Sequence, residues 1–252
     1  MTGFGLDPAG YCGERSVLAV AERRGSNADV TILRNSPFSQ APNEARQIEV
    51  ILANERKALK DMVALGCSIA IDIPIDLQGL PRMCAPTHLW QQTKRKVDKK
   101  VGGLEPLASF IGHVTARFQS IFCDSELDQR LGLSIFETYP KPTLRKLLGT
   151  QWTAVRNYKN QPSQMEAICY ALKICPQTEI VTDDDLDAVI CALTAGAPAE
   201  ELWNRDDYES GGVTLEELPR GYRLLSRTSF ERIAVSTGDF DTWMREKSSK
   251  IQ

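Results

Sequence analysis

Residues 68–74 read Ser68-Ile69-Ala70-Ile71-Asp72-Ile73-Pro74. This is a short apolar run with no polar alternation, interrupted only by Asp72 and stopped by proline. It follows a long stretch of helical period, in which Ile48, Ile51, Leu52, Leu59, Met62 and Val63 recur at turn spacing until Gly66. Pro42 precedes that helix, and Glu44 and Glu49 lie early, where acids suit the helix dipole. A non-alternating strand after a helix is a parallel strand buried on both faces. Upstream, residues 3–7, 15–23 and 29–34 read as three strands, the last two joined through Gly25-Ser26-Asn27. They form an antiparallel meander. Downstream, residues 106–122, 141–148, 162–174 and 184–195 are helical in period, and Leu133-Ser134-Ile135-Phe136-Glu137-Thr138 is a strand stopped before Pro140. The expectation is an α/β fold with a mixed five-stranded sheet and helices on both faces.

The chain has 252 residues, which suits one elaborated domain. We place its body at 1–196, with a helical insertion at 77–130. The polar, glycine-containing residues 197–252 read as a peripheral extension of the same domain, with a last helix near 239–248. Net charge is −3, so any affinity for nucleic acid must come from a local basic patch. The seven cysteines are odd in number and form no C-x-x-C pair. Cys67, Cys169 and Cys191 sit in apolar segments, as free thiols do, which points to a reducing, cytoplasmic setting. No apolar run approaches the ~18 residues of a membrane span.

Acids interrupt the strands at telling positions. Asp7 ends the first strand, Asp72 lies near the end of the buried one, and Glu137 lies near the end of the last. A charge buried there is costly unless it is paired or bound to metal. Asp184 and Asp187 are three residues apart at the start of a helix and share one face. Asp183 and Asp184 also suit a helix N-terminus as caps. Magnesium and manganese prefer such oxygen ligands, and two ions roughly 4 Å apart can drive phosphodiester hydrolysis. The expected site takes two Mg or Mn ions: Asp7 bridging both, Asp72 and Glu137 each completing one, Asp187 with Asp184 on the ion that activates water. His88 and His113 read as structural.

Four motifs carry a resemblance: Phe4-Gly5-Leu6-Asp7-Pro8-Ala9, Ile69-Ala70-Ile71-Asp72-Ile73-Pro74, Phe136-Glu137-Thr138-Tyr139-Pro140 and Asp183-Asp184-Asp185-Leu186-Asp187-Ala188. In this order they resemble the family grouped as domain of unknown function 429, whose members are described as predicted nucleases of the RNase H-like superfamily. The closing Asp184-x-x-Asp187-Ala188 is also similar to the last motif of Holliday-junction resolvases. The resemblance implies an RNase H-like fold and a metal-dependent nuclease. The turn after Asp7, Pro8-Ala9-Gly10-Tyr11-Cys12-Gly13, departs from the family's glycine-rich, tryptophan-bearing pattern.

Basic residues supply a candidate substrate surface: Arg82 and Arg95, with the run Lys94–Lys100 and the nearby Trp90, then Lys146, Arg156 and Lys159 after Glu137. Two rival readings stand beside the nuclease. An ATP-dependent phosphotransferase of the actin-like superfamily has a similar opening, but no phosphate-binding glycine loop occurs. A non-catalytic interaction module would keep the acids as ion pairs with the Arg95 and Lys146 groups.

Overall fold

The computed structural model describes residues 2–9, 16–39, 47–77, 94–107, 111–175, 179–229 and 233–239, with Thr242 and Ser249. Strands β1 (Thr2–Asp7), β2 (Val17–Arg24) and β3 (Asn27–Arg34) form the meander, and α1 (Gln47–Ala64) leads into β4 (Ser68–Ile71). Short helices α2 (Lys96–Val101), α3 (Gly112–Phe122) and α4 (Ser125–Arg130) precede β5 (Ile135–Glu137). Then come α5 (Pro140–Leu148), α6 (Trp152–Val155), α7 (Pro162–Ala171), α8 (Asp183–Ala195), α9 (Arg205–Glu209) and β6 (Ile233–Asp239). The sheet is mixed, in the order β5-β4-β1-β2-β3-β6. β1 and β3 each pair antiparallel with β2, while β4, β5 and β6 join in parallel.

The sheet therefore has six strands, one more than expected. The sixth comes from residues 233–239, inside the stretch read as a peripheral extension. A single strand at a sheet edge needs little apolar sequence, and Ile233-Ala234-Val235 is a weak signal beside the polar residues around it. The last helix expected near 239–248 lies outside the described residues, apart from β6's Asp239 and Thr242.

Pleating sorts the side chains. On β2, Leu18 and Val20 join a core with α1, α3 and α4, while Val17, Ala19 and Ala21 face α5, α7 and α8. Helices thus cover both faces. On β1, Phe4 and Leu6 belong to the α1 side, which leaves Gly3, Gly5 and Asp7 on the α8 side.

Those two glycines let α8 lie directly on β1. A methyl carbon built on Gly5 would overlap the backbone of Ala188, Cys191 and Ala192, and one on Gly3 would overlap Ala192 and Gly196. The helix answers with small residues at matching spacing, Ala188, Ala192 and Gly196. Every α8 residue from Asp185 to Ala195 is buried, as suits a helix enclosed by sheet and helices. Gly5→Ala should lower stability by about 1–3 kcal/mol or more, since the added carbon meets backbone and no side chain can move aside. Chemical denaturation measures this, and an unchanged midpoint would mean that the close approach is not there.

Candidate active site

The ladder sets out a row of side chains at one end of the sheet. Leu6 pairs with Ile71, and Asp72 N donates to Leu6 O at 3.0 Å, so Asp7 and Asp72 are neighbours across β1 and β4. Both stand on the α8 side, because Gly5 and Ala70 do. Asp187 projects from the first turns of α8 toward the same place. Asp7, Asp72 and Asp187 line one open cavity of about 400 Å³, with Lys159, Lys141 and an apolar wall that includes Ile73, Leu104, Ile111 and Val114.

Asp187 is almost wholly buried and fully partnered. Tyr158 OH donates to its Oδ1 at 2.7 Å, and Lys159 Nζ donates to its Oδ2 at 2.7 Å. Lys159 Nζ also lies 3.6 Å from Asp183 Oδ2, while 45% of the lysine side chain stays exposed. Asp184, half-buried at the start of α8, lies close enough to Asp7 for each to affect the other's titration.

Crowding and like charge shift the whole group. Asp7 is raised well above the usual aspartate range by burial first, then by Asp72, Asp187 and Asp184. Asp72 is raised well above it by burial, then by Asp187. Asp184 is raised by burial and Asp183, and Asp187 is raised by burial against the pull of Lys159. Burial alone would lower the Lys159 ammonium, but Asp187, Asp72 and Asp7 more than reverse this, and it is raised. Burial and Asp187 push the Tyr158 hydroxyl up. One ammonium thus faces several carboxylates that repel one another.

Glu137 lies elsewhere. Phe136 shares the α8 side with Ala70, so Glu137, one residue on, faces the opposite side of the sheet. There its carboxylate takes both Nη groups of Arg95, with Nη1 to Oε2 at 2.9 Å, and the backbone N of Ile75 at 2.9 Å. Arg95 is itself fully buried and donates to Asp98 at 2.8 and 3.0 Å, to Asp76 O at 2.7 Å and to Tyr139 OH at 3.1 Å. The guanidinium expected at a substrate surface is enclosed within the protein, and the acid expected on metal is its counter-ion. The residue in line with Asp72 is Thr138, just past β5, whose N continues the ladder to Ile71 O at 3.0 Å. Its hydroxyl is buried and has no hydrogen-bond partner among the described residues.

The other expected residues scatter. Asp183 and Asp184 do not cap α8. Thr182 is the N-cap, and Asp185 closes the capping box while gripping Arg34 at 2.7 and 2.9 Å. Lys146 reaches Asp207 at 3.0 Å and lies over the Trp203 ring, and Arg156 is exposed after α6. Lys94 and Lys96 pair with Glu105 and Glu217. Arg82, His88 and Trp90 lie outside the described residues. His113 sits in the first turn of α3. Tyr158 and Thr138 went unnoticed in the sequence. Only the register identifies Thr138, and Tyr158 sits in a short 3-10 turn with no periodic pattern.

The donor set, all carboxylate, suits a hard divalent cation. Its arrangement does not: among the described residues no three His, Cys, Asp or Glu side chains gather closely enough to hold a metal ion. Instead Lys159 and Tyr158 engage both oxygens of Asp187. Among the described residues no helix is long and apolar enough to cross a membrane, and Cys123, Cys169 and Cys191 are free thiols. The chain matches no family model, no curated protein and no solved structure.

Two measurements check this electrostatic layout. Asp72 titrates above its unfolded value, so it costs nothing at low pH, where both states are protonated, and it costs stability as pH rises through the native pKa. Asp72→Asn should therefore melt higher than the wild type at about pH 8, by roughly 2–4 °C for ~1 kcal/mol. The gain should vanish near pH 4, and a destabilised variant at high pH would contradict the crowding. Arg95→Ala should cost about 3–5 kcal/mol in urea denaturation, because it strands two buried carboxylates.

Proposed function

We propose that the pocket lined by Asp7, Asp72 and Asp187, with Asp184 near Asp7, is the active site of a divalent-metal-dependent nuclease, a hydrolase of nucleic-acid phosphodiesters, on an RNase H-like fold. The observation that carries this reading is the surplus of carboxylates over cations in one open cavity at the ends of two parallel strands. Chemistry gathers at such strand ends in α/β sheets. The fold part is supported by the three-strand meander followed by parallel strands with helices on both faces. The four motifs that resemble the predicted RNase H-like nucleases each supply lining residues of the pocket, Asp7, Asp72, Tyr139 and Asp187 among them.

Magnesium often takes one or two protein carboxylates and completes its shell with water and substrate phosphate. A pocket that does not enclose an ion by itself accords with that habit. The ion's contribution, when bound, is to offset charge on the phosphate and on attacking and leaving oxygens. The chain's own groups have separate work. Asp7 and Asp72 present oxygens to the cavity. Tyr158 and Lys159 fix the Asp187 carboxylate. The wall of Ile73, Ile111 and Val114 limits water around them. Lys159 and the exposed Lys141 both line the cavity and are the basic residues placed to meet a phosphate, whereas Lys146 is engaged with Asp207.

The competing module reading draws on the Arg95–Glu137 pair, which is a structural use of an acid first assigned to metal. It leaves the like-charged pocket unexplained. The test is a cleavage panel of single- and double-stranded DNA and RNA in Mn²⁺. Asp7→Asn should reduce cleavage by about a hundredfold or more, and Lys146→Ala should leave it near wild type. Absence of cleavage on every substrate, or full activity in Asp7→Asn, would sink the proposal.

A further inference from the structure

We infer that the acid pocket takes a single unpaired nucleotide, its phosphate beside the lysines and its base against an apolar wall, so that the substrate is a single strand and not an intact duplex. This rests on the nuclease reading above and names the substrate class of that site.

The cavity has two unlike walls. Asp7, Asp72 and Asp187 line it together with Lys159 and Lys141, and Ile73, Leu104, Ile111 and Val114 line it as apolar surface. The two kinds of lining meet in the chain itself, because Asp72 and Ile73 are successive residues. Consecutive Cα atoms stand ~3.8 Å apart, so a ring on the apolar wall and a phosphate beside the charged groups fit within one nucleotide. The volume, about 400 Å³, is that of a small-molecule site.

The apolar wall is preformed. Ile73 is fully buried and Val114 nearly so, both as members of the α1-side core. Gly102, left-handed at φ 75°, ends α2, and Gly103 follows it into the lining. A Cβ on Gly103 would lie 3.2 Å from Tyr139 Cε2, so this glycine lets the chain run close to that ring. Toward solvent the wall continues as Leu104, which is 56% exposed. Leu107 is equally exposed, and its carbonyl oxygen would stand 3.1 Å from a Cβ on Gly112, the neighbour of Ile111. Exposed apolar side chains gathered beside a pocket mark a binding surface.

A double helix has no use for such a wall. Its bases are stacked inward, and a nucleotide enters an enzyme pocket only from a single strand or after leaving the stack. Duplex phosphates set against Leu104 and Ile111 would lose hydration without compensation. An unpaired base is uncharged and offers a flat face that gains by burial against apolar side chains. Lys159 and Lys141 supply charge complementary to its phosphate.

The experiment has two arms, both on the full-length chain in Mn²⁺ buffer. Calorimetry compares uridine 5′-monophosphate with ribose 5-phosphate, which lacks the base. The wild type should bind the nucleotide about tenfold more tightly or better, and Leu104→Asn should bring the two ligands within about twofold by weakening the nucleotide alone. Leu104 is exposed, so this change spares the core, and circular dichroism checks the fold. The second arm cleaves one oligonucleotide, alone and annealed to its complement with blunt ends; the single strand should be cut about tenfold faster or more. Equal affinity for the two ligands, no binding of either, an unchanged ratio in Leu104→Asn, or a duplex cut as fast as the strand would each overturn the inference. In all four cases the nuclease reading stands wherever cleavage is seen. Base-dependent binding that Leu104→Asn abolishes, with no cleavage of either substrate, would support the nucleotide pocket and overturn the nuclease reading alone.

Discussion

The contact between the backbones of β1 and α8 governs the site. Two glycines on one side and three small residues on the other bring a helix within direct backbone reach of a strand. Helices ordinarily pack on sheets through an intervening layer of side chains. Removing that layer draws the start of α8 down onto the end of β1. Asp187 is then forced into the company of Asp7 and Asp72, which the β1–β4 register has already paired. The capping box of Thr182 and Asp185, with Arg34 clamped on Asp185, fixes where the helix begins.

The protein handles its buried charge in two contrasting ways. On the α1 side of the sheet the buried acids Glu137, Asp98 and Glu55 are held by buried arginines. Glu137 and Asp98 share Arg95, and Glu55 holds Arg117, whose Nη1 also reaches Ala9 O at 2.7 Å, two residues beyond Asp7. Such pairs contribute little net stability but are costly to break, so they lock local geometry. On the α8 side several acids share one partly exposed lysine. That imbalance works against the fold, and native proteins retain such imbalance mainly at functional sites. The contrast distinguishes Glu137 from Asp72, although both are acids near the ends of apolar strands.

Local sequence patterns made the meander, the buried strand β4, helices α1, α5, α7 and α8, and the carboxylates of the pocket legible. Each rests on periodicity or on an acid breaking an apolar run, and both are short-range signals. Glu137 shows where such signals stop. In Ile135-Phe136-Glu137-Thr138 all positions look alike to a pattern search, because a short strand buried on both faces has no alternation. Only pairing with β4 decides that Phe136 and Thr138 share the α8 side. A one-residue difference in parity sends the acid to Arg95 and turns a buried threonine toward the α8 side. The sixth strand was hidden for a related reason, since an edge strand is defined by its partner β3 more than by its own residues.

The sequence by itself determined the class of fold, the order of its elements and the identity of the carboxylates at stake. These follow from where apolar residues recur and where charges interrupt them, and such properties belong to single segments. Tertiary structure alone decided which acids meet, that Lys159 stands among them as their cation, and that Arg95 is enclosed with Glu137. Those outcomes depend on strand register, on pleat parity and on the close seat of α8. Each of these joins residues distant in the chain, so no single segment encodes it.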